Sequence, residues 1–142
     1  MSLRAIQELQ YAFSKFPETA DHASNVHAKL VTVLAEHGYR VRTEYPVVFG
    51  DRNGRVDIRA VCPVTGVPIG IEIDARKPRK NSIRKLNVMR EQEGALRVVC
   101  LRGVNGPAHA IDGVDMVYPL PVRMMGDEGK VSVAAVAREV LG

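Results

Sequence analysis

The run LRVVCL (Leu96 to Leu101) restricts the possible folds more than any other stretch of this chain. Its nearly continuous apolar character suits a strand covered on both faces, so helices must lie on both sides of the sheet that contains it. Upstream, Asn81 or Ser82 can cap a helix reaching about Gln92. Before that helix, Pro68 to Asp74 (PIGIEID) alternates as a strand, with Pro68 at its start, where a missing N–H does least harm. Strand, helix and strand in that order imply a right-handed crossover and a parallel pair.

The flanking sequence completes the pattern. Residues 2 to 16 place Leu3, Ile6, Leu9, Phe13 and Phe16 at helical spacing, and Pro17 closes the element. A second helix runs from about Asp21 to Glu36, with Val26, Leu30, Val33 and Leu34 as its stripe and Gly38 as its C-terminal cap. Tyr39 to Phe49 reads as a strand with Val41, Tyr45, Val47 and Phe49 on one side. Asp51-Arg52-Asn53-Gly54 is a hairpin turn signal. Arg55 to Cys62 is then a second strand, and Pro63 to Gly66 a second turn. A last strand is expected near Val114 to Tyr118, and a terminal helix over Val131 to Leu141, where Val133, Val136 and Val140 recur at helical spacing.

The expected class is therefore α/β (α+β): a mixed β-sheet with an αβββαβ core flanked by helices, and extra N-terminal and C-terminal helices. The 142 residues suffice for one domain with its own core. Residues 1–20 form an N-terminal helical extension, 21–103 the core, and 104–142 a C-terminal strand and helix. No apolar run approaches the roughly 18 residues of a membrane-spanning helix, and MSLRAIQELQ lacks a signal-peptide core. Cys62 and Cys100 stand apart without metal-ligand spacing and read as reduced core thiols. A cytoplasmic protein is the expectation.

Acidic residues interrupt the third strand in an unusual way. Ile69, Ile71 and Ile73 point to one face; Gly70, Glu72 and Asp74 point to the other. On the second strand Asp57, Arg59 and Val61 share a face. A two-residue loop between the strands sets Asp57 opposite Glu72, a four-residue loop sets it opposite Asp74, and either gathers all three carboxylates on one face. An odd loop or a bulge separates them. Directly opposed side chains lie roughly 4.5–5.5 Å apart at Cβ, where like charges repel. A hard divalent ion, Mg²⁺ or Mn²⁺, held by oxygen ligands compensates such a cluster. The plainer reading leaves the acids solvated, or paired with Arg59 or with the basic residues that follow.

Val56-Asp57 on the second strand, Gly70-Ile-Glu72-Ile-Asp74 on the third and the basic NSIRKL helix, taken over residues 22 to 102, resemble the PD-(D/E)XK nuclease superfamily, whose core is restriction-endonuclease-like and Holliday-junction-resolvase-like. The resemblance implies that Asp57 and Glu72 bind the metal and that a lysine two residues after the glutamate handles the attacking water. Asp74 occupies that lysine position, where it serves as a third ligand or as a general base acting through water. The lysine then comes from the basic segment, with Lys85, Lys77 and Lys80 as candidates and Lys85 preferred. The helix before the sheet often supplies a glutamate in this superfamily. Here it carries His27, which either touches the metal, a water or a phosphate, or is simply a helix residue with a satisfied ring.

Residues 76 to 90 hold Arg76, Lys77, Arg79, Lys80, Arg84, Lys85 and Arg90 and no acid, in a chain of net charge +4. Such a field attracts polyanions, although basic runs are often only solvated helix faces. Beside a metal-binding strand, Arg76, Lys77, Arg79, Lys80 and Arg84 suit the phosphates flanking a scissile bond. The expectation is a Mg²⁺- or Mn²⁺-dependent endonuclease of repair, recombination, restriction or phage type, acting on duplex or branched DNA as a homodimer. The competing expectations are a non-catalytic nucleic-acid-binding or partner-binding domain of the same fold, and a small-molecule enzyme or interaction protein of unrelated fold.

Overall fold

Alternating and continuous apolar runs assemble into one sheet whose strands lie side by side in chain order. A computed structural model describes residues 3–16, 23–104, 109–120 and 136–137. The elements are α1 (Leu3–Phe13), α2 (Ala23–Glu36), β1 (Arg40–Phe49), β2 (Arg52–Val61), β3 (Pro68–Ala75), α3 (Lys80–Glu93), β4 (Leu96–Arg102), β5 (Met116–Pro119) and β6 (Val136–Ala137). β1, β2 and β3 pair antiparallel, β3, β4 and β5 pair parallel, and β6 returns antiparallel to β5. The α+β class and the mixed sheet flanked by helices are as expected.

Two apolar layers cover the sheet. On one face, Ile6, Leu9 and Phe13 of α1 and Val26, Leu30 and Leu34 of α2 join Ile58, Ile69, Ile71, Ile73 and Val98. On the other, Leu86 and Met89 of α3 meet Val47, Phe49, Val56, Val99 and Val117. β4 is buried almost throughout, which accounts for its unbroken apolar sequence. α3 lies close on the sheet because Gly70 leaves it room: a Cβ there would sit 2.8 Å from Met89 Sδ and 2.9 Å from Leu86 Cδ2. Asp115, buried, fastens the far end of α3 to β4 through Arg90 (2.9 Å) and Arg97 (3.1 Å). Arg90 thus belongs to the scaffold rather than to an open basic face.

The β1–β2 hairpin changes sides partway along. Val56 packs in the α3 layer while Ile58, on the same face by simple alternation, packs in the other. Across the ladder, Val41 packs against the α1–α2 layer while Tyr45, Val47 and Phe49 pack on the α3 side. The break falls at Glu44 and Asp57, where the ladder passes from Thr43–Ile58 to Tyr45–Val56 without pairing them, and Glu44 there has φ 51. A non-glycine residue in this left-handed region costs on the order of 1–2 kcal/mol. The outer half of the hairpin thereby wraps over α3. Sequence alternation alone places Val41 with Tyr45, Val47 and Phe49 on a single face; the twist at Glu44 overrides it.

Three further expectations are corrected. The hairpin turn is Gly50–Asp51, closed by Phe49 opposite Arg52, because Gly50 supplies the positive φ of 65. Asn53 and Gly54 belong instead to β2. The N-cap of α3 is Arg79, with extended backbone, and not Asn81 or Ser82. Within the expected terminal helix over Val131 to Leu141, Val136–Ala137 pair as a strand with β5, where backbone hydrogen bonds to an open sheet edge replace those of a helix turn; the remainder of that segment, like Pro17 and Asp21, lies outside the described residues.

Gly70→Val drives a branched side chain into Leu86 and Met89. We expect a loss of about 1–3 kcal/mol in urea-unfolding free energy, the usual range for overpacking. A change below about 0.5 kcal/mol, the scale of an ordinary surface substitution, would contradict the close seat of α3 on β3.

Candidate active site

β2 and β3 pair regularly from Val61 and Pro68 up to Ile58 and Ile71, in the register that next sets Asp57 against Glu72. The backbone ladder stops there, and side chains take over its hydrogen bonds. The Asp57 N–H donates to Glu72 Oε2 at 2.8 Å, and the Ile73 N–H donates to Asp57 Oδ2 at 2.8 Å. Each carboxylate thus accepts a backbone donor from the opposite strand, in place of a carbonyl. This reciprocal arrangement fixes both acids at one seam of the sheet.

Glu72 is fully buried. Burial, reinforced by the nearby Asp57 charge, pushes its carboxyl up to about 7, against the opposing pull of Lys85 and the Asp57 N–H. Lys85, on α3, places Nζ 2.5 Å from Glu72 Oε1 and donates to the Arg55 carbonyl at 2.8 Å. Its aliphatic stem runs past Gly54, where a Cβ would lie 3.1 Å from Lys85 Cδ and 2.6 Å from Phe49 Cε1. Gly54 therefore leaves room for the lysine stem within β2 and does not make a turn.

Asp74 does different work. Although on the same strand face as Glu72, it turns its carboxylate to the start of α3, accepting from Arg79 N (3.0 Å), Arg79 Nε (2.7 Å) and Ser82 Oγ (3.2 Å). It caps the helix from outside, since Arg79 as N-cap residue makes no side-chain capping bond of its own. Ser82 and Lys85 lie one helical turn apart on one face, so holding Ser82 sets the rotation that aims Lys85 at Glu72. Among the described residues no three acidic, histidine or cysteine side chains converge as a ligand group. Both Asp74 oxygens accept from the start of α3 rather than turning to Asp57 and Glu72.

Arg79 closes the outer side. Its hydrogen bond to Asp74 holds its guanidinium above the ordinary value, and the charges of Glu72 and Asp57 add to the effect. Its side chain is 67% exposed, so it reaches solvent from the buried Asp74 that holds it. Lys77, Lys80 and Arg84 are exposed around the same end of α3, and Arg76, at φ 64, turns the chain from β3 towards the helix. His27 sits on α2, in the layer covering the opposite face of the sheet, and no hydrogen bond or ion pair joins it to Asp57 or Glu72 among the described residues. Glu44 is exposed at the hairpin twist. Arg59 is held by Glu93 at 2.6 Å and does not neutralise Asp57.

The donor set suits a hard cation. Glu72 Oε1 is buried and accepts no well-aligned hydrogen bond, having only the Lys85 ammonium beside it. Together with an Asp57 carboxylate, it offers oxygen ligands of the type that Mg²⁺ and Mn²⁺ prefer. No protein-family model, curated protein or solved structure matches this chain.

The raised Glu72 carboxyl makes stability depend on pH. The folded state holds this proton more tightly than the unfolded chain, so the contribution is fully present below the ordinary value of 4.5 and is lost as pH rises through about 7. In EDTA, the melting temperature of the wild type should therefore fall between pH 5 and 8 more steeply than that of Glu72→Gln, which cannot ionise. Identical slopes in differential scanning fluorimetry would show that Glu72 is not strained as an anion.

Proposed function

We propose that this chain is a metal-dependent nuclease of the PD-(D/E)XK type, hydrolysing phosphodiester bonds of duplex or branched DNA in the cytoplasm. The observation that carries it is the seam at which Glu72 accepts from the Asp57 N–H and Asp57 from the Ile73 N–H while Lys85 reaches Glu72 from α3. Asp57 and Glu72 would hold Mg²⁺ or Mn²⁺. Such an ion supplies a bound water of lowered pKa and positive charge opposite the phosphoryl oxygens.

The roles of the surrounding residues follow from their positions. Lys85 takes the part of the lysine that the third strand lacks: its Nζ lies beside Glu72, where it can orient an attacking water. Asp74 keeps the helix carrying that lysine in place. Arg79, with Arg76, Lys77, Lys80 and Arg84, neutralises phosphates on either side of the scissile bond. The N-terminal N–H groups of α3 and its dipole point the same way. Cutting both strands of a duplex with one small catalytic domain calls for a homodimer.

A second reading draws on one feature. Glu72 is wholly buried with the Lys85 ammonium beside it, which also suits a domain that binds nucleic acid without cutting it. Incubation of the protein with plasmid, branched and single-stranded DNA, in Mg²⁺, Mn²⁺ or EDTA, separates the two. For the nuclease we expect cleavage that EDTA abolishes, that Asp57→Asn and Glu72→Gln abolish with it by removing a metal ligand, and that Lys85→Ala reduces by about 10²–10⁴-fold, the range typical of a group that handles the attacking water's proton. Circular dichroism checks that each variant folds. Wild-type protein inert with every metal and substrate, or equal cleavage by Asp57→Asn, would end the nuclease reading; binding without cleavage supports the second.

A further inference from the structure

A second concentration of positive charge lies at the other end of α3. Arg42 and Arg59 are directly opposed across the β1–β2 ladder, and directly opposed like charges destabilise a sheet. Both guanidiniums stack on Tyr45, at 5.2 Å and 5.3 Å from its ring centre. Arg40, two positions from Arg42, shares that face. With Val61 and Pro68 these arginines line an open groove of about 400 Å³. The acid at hand is Glu93, whose Oε1 is taken by Arg59 Nε and Nη2 and whose Oε2 accepts from Tyr45 Oη. Arg40 and Arg42 are exposed and have no ion-pair partner among the described residues. Two uncompensated cations therefore stand beside a third whose position is fixed.

The groove is on the carboxylate side of the sheet. Arg59 pairs with Gly70, and the next residue of β3 on that face is Glu72. Arg76 to Lys80 mark the N-terminal end of α3 and the arginine groove its C-terminal end. The helix has 14 residues and so spans about 21 Å at 1.5 Å per residue. That distance is about six phosphate steps at 3.4 Å per nucleotide along one strand.

We propose that Arg40 and Arg42, beside the fixed Arg59, form a phosphate-binding groove for a polynucleotide that lies along α3, with the carboxylate seam between its two basic anchors. This rests on the nucleic-acid reading above and adds to it a path and a minimum length. A polynucleotide must exceed about six nucleotides to reach both ends of the helix. Recognition is of backbone phosphate, without base readout.

The test is fluorescence anisotropy in EDTA with labelled oligonucleotides of 4 and 16 nucleotides across a salt series. Arg40→Gln/Arg42→Gln changes only exposed side chains. Arg4→Gln, on the exposed side of α1, serves as control, since α1 covers the opposite face. We expect the double variant to bind the 16-mer at least about tenfold more weakly and to lower its salt slope by about 1.4–1.8, the value for two phosphate contacts. Arg4→Gln should match the wild type, and the wild type should bind the 4-mer much more weakly than the 16-mer. Where cleavage is measurable, the double variant should raise KM and leave kcat unchanged. Wild-type binding with the double variant indistinguishable in affinity and slope would overturn the groove and leave the nuclease reading standing. Wild-type protein that binds neither oligonucleotide would overturn both.

Discussion

The pair of crossed hydrogen bonds at the β2–β3 seam, Asp57 N–H to the Glu72 carboxylate and Ile73 N–H to the Asp57 carboxylate, is the constraint from which the rest of the arrangement follows. Where β2 and β3 stop pairing through carbonyls, two part-buried N–H groups need acceptors, and leaving a donor unmet away from water costs about 1–3 kcal/mol. The two carboxylates meet that need. Burial of Glu72, with the Asp57 charge brought beside it, raises the Glu72 carboxyl to about 7. Cations must then approach from elsewhere, since Arg59, on the same strand as Asp57, is held by Glu93.

The fold delivers those cations by two routes. Lys85 arrives from α3, along a path kept open by Gly54 and ending on the Arg55 carbonyl. Arg79 arrives from the loop before the helix and is held by Asp74. Both routes depend on α3 lying in one orientation. Asp74 sets it at one end and Asp115, with Arg90 and Arg97, at the other. Gly70 lets the helix come near enough for a lysine side chain to span the gap. The hairpin twist at Glu44 and Asp57 adds the roof, wrapping Phe49 and Val56 over the helix beside Lys85.

Much of this could be read from residue order. The continuous apolar run of β4 demanded two covering layers, and the isoleucine alternation of β3 assigned Glu72 and Asp74 to a common face. Register brought Asp57 to Glu72 because the β2–β3 turn keeps an even count. Periodicity failed where tertiary contacts overrode it. Alternation carries no mark of a strand twisting through a left-handed Glu44, and Asn53-Gly54 has the same composition whether it turns the chain or makes room for a lysine. Sharing a strand face does not say which partner an acid chooses, so Asp74 could not be told apart from a metal ligand until Arg79 and Ser82 were located. The basic run likewise hid a division of labour. Arg90 is structural, Lys85 is turned inward, and the arginines of β1 and β2 are spread too thinly in sequence to read as a patch.

The central claim is that Asp57 and Glu72 together make the cation site and that Asp74 stands outside it. Titration of Mn²⁺ followed by electron paramagnetic resonance of the free ion measures this directly, without any substrate. Uptake by the wild type, its loss in Asp57→Asn and Glu72→Gln, and its retention in Asp74→Asn are the predicted results. Undiminished uptake in Asp57→Asn, or loss confined to Asp74→Asn, would contradict the account.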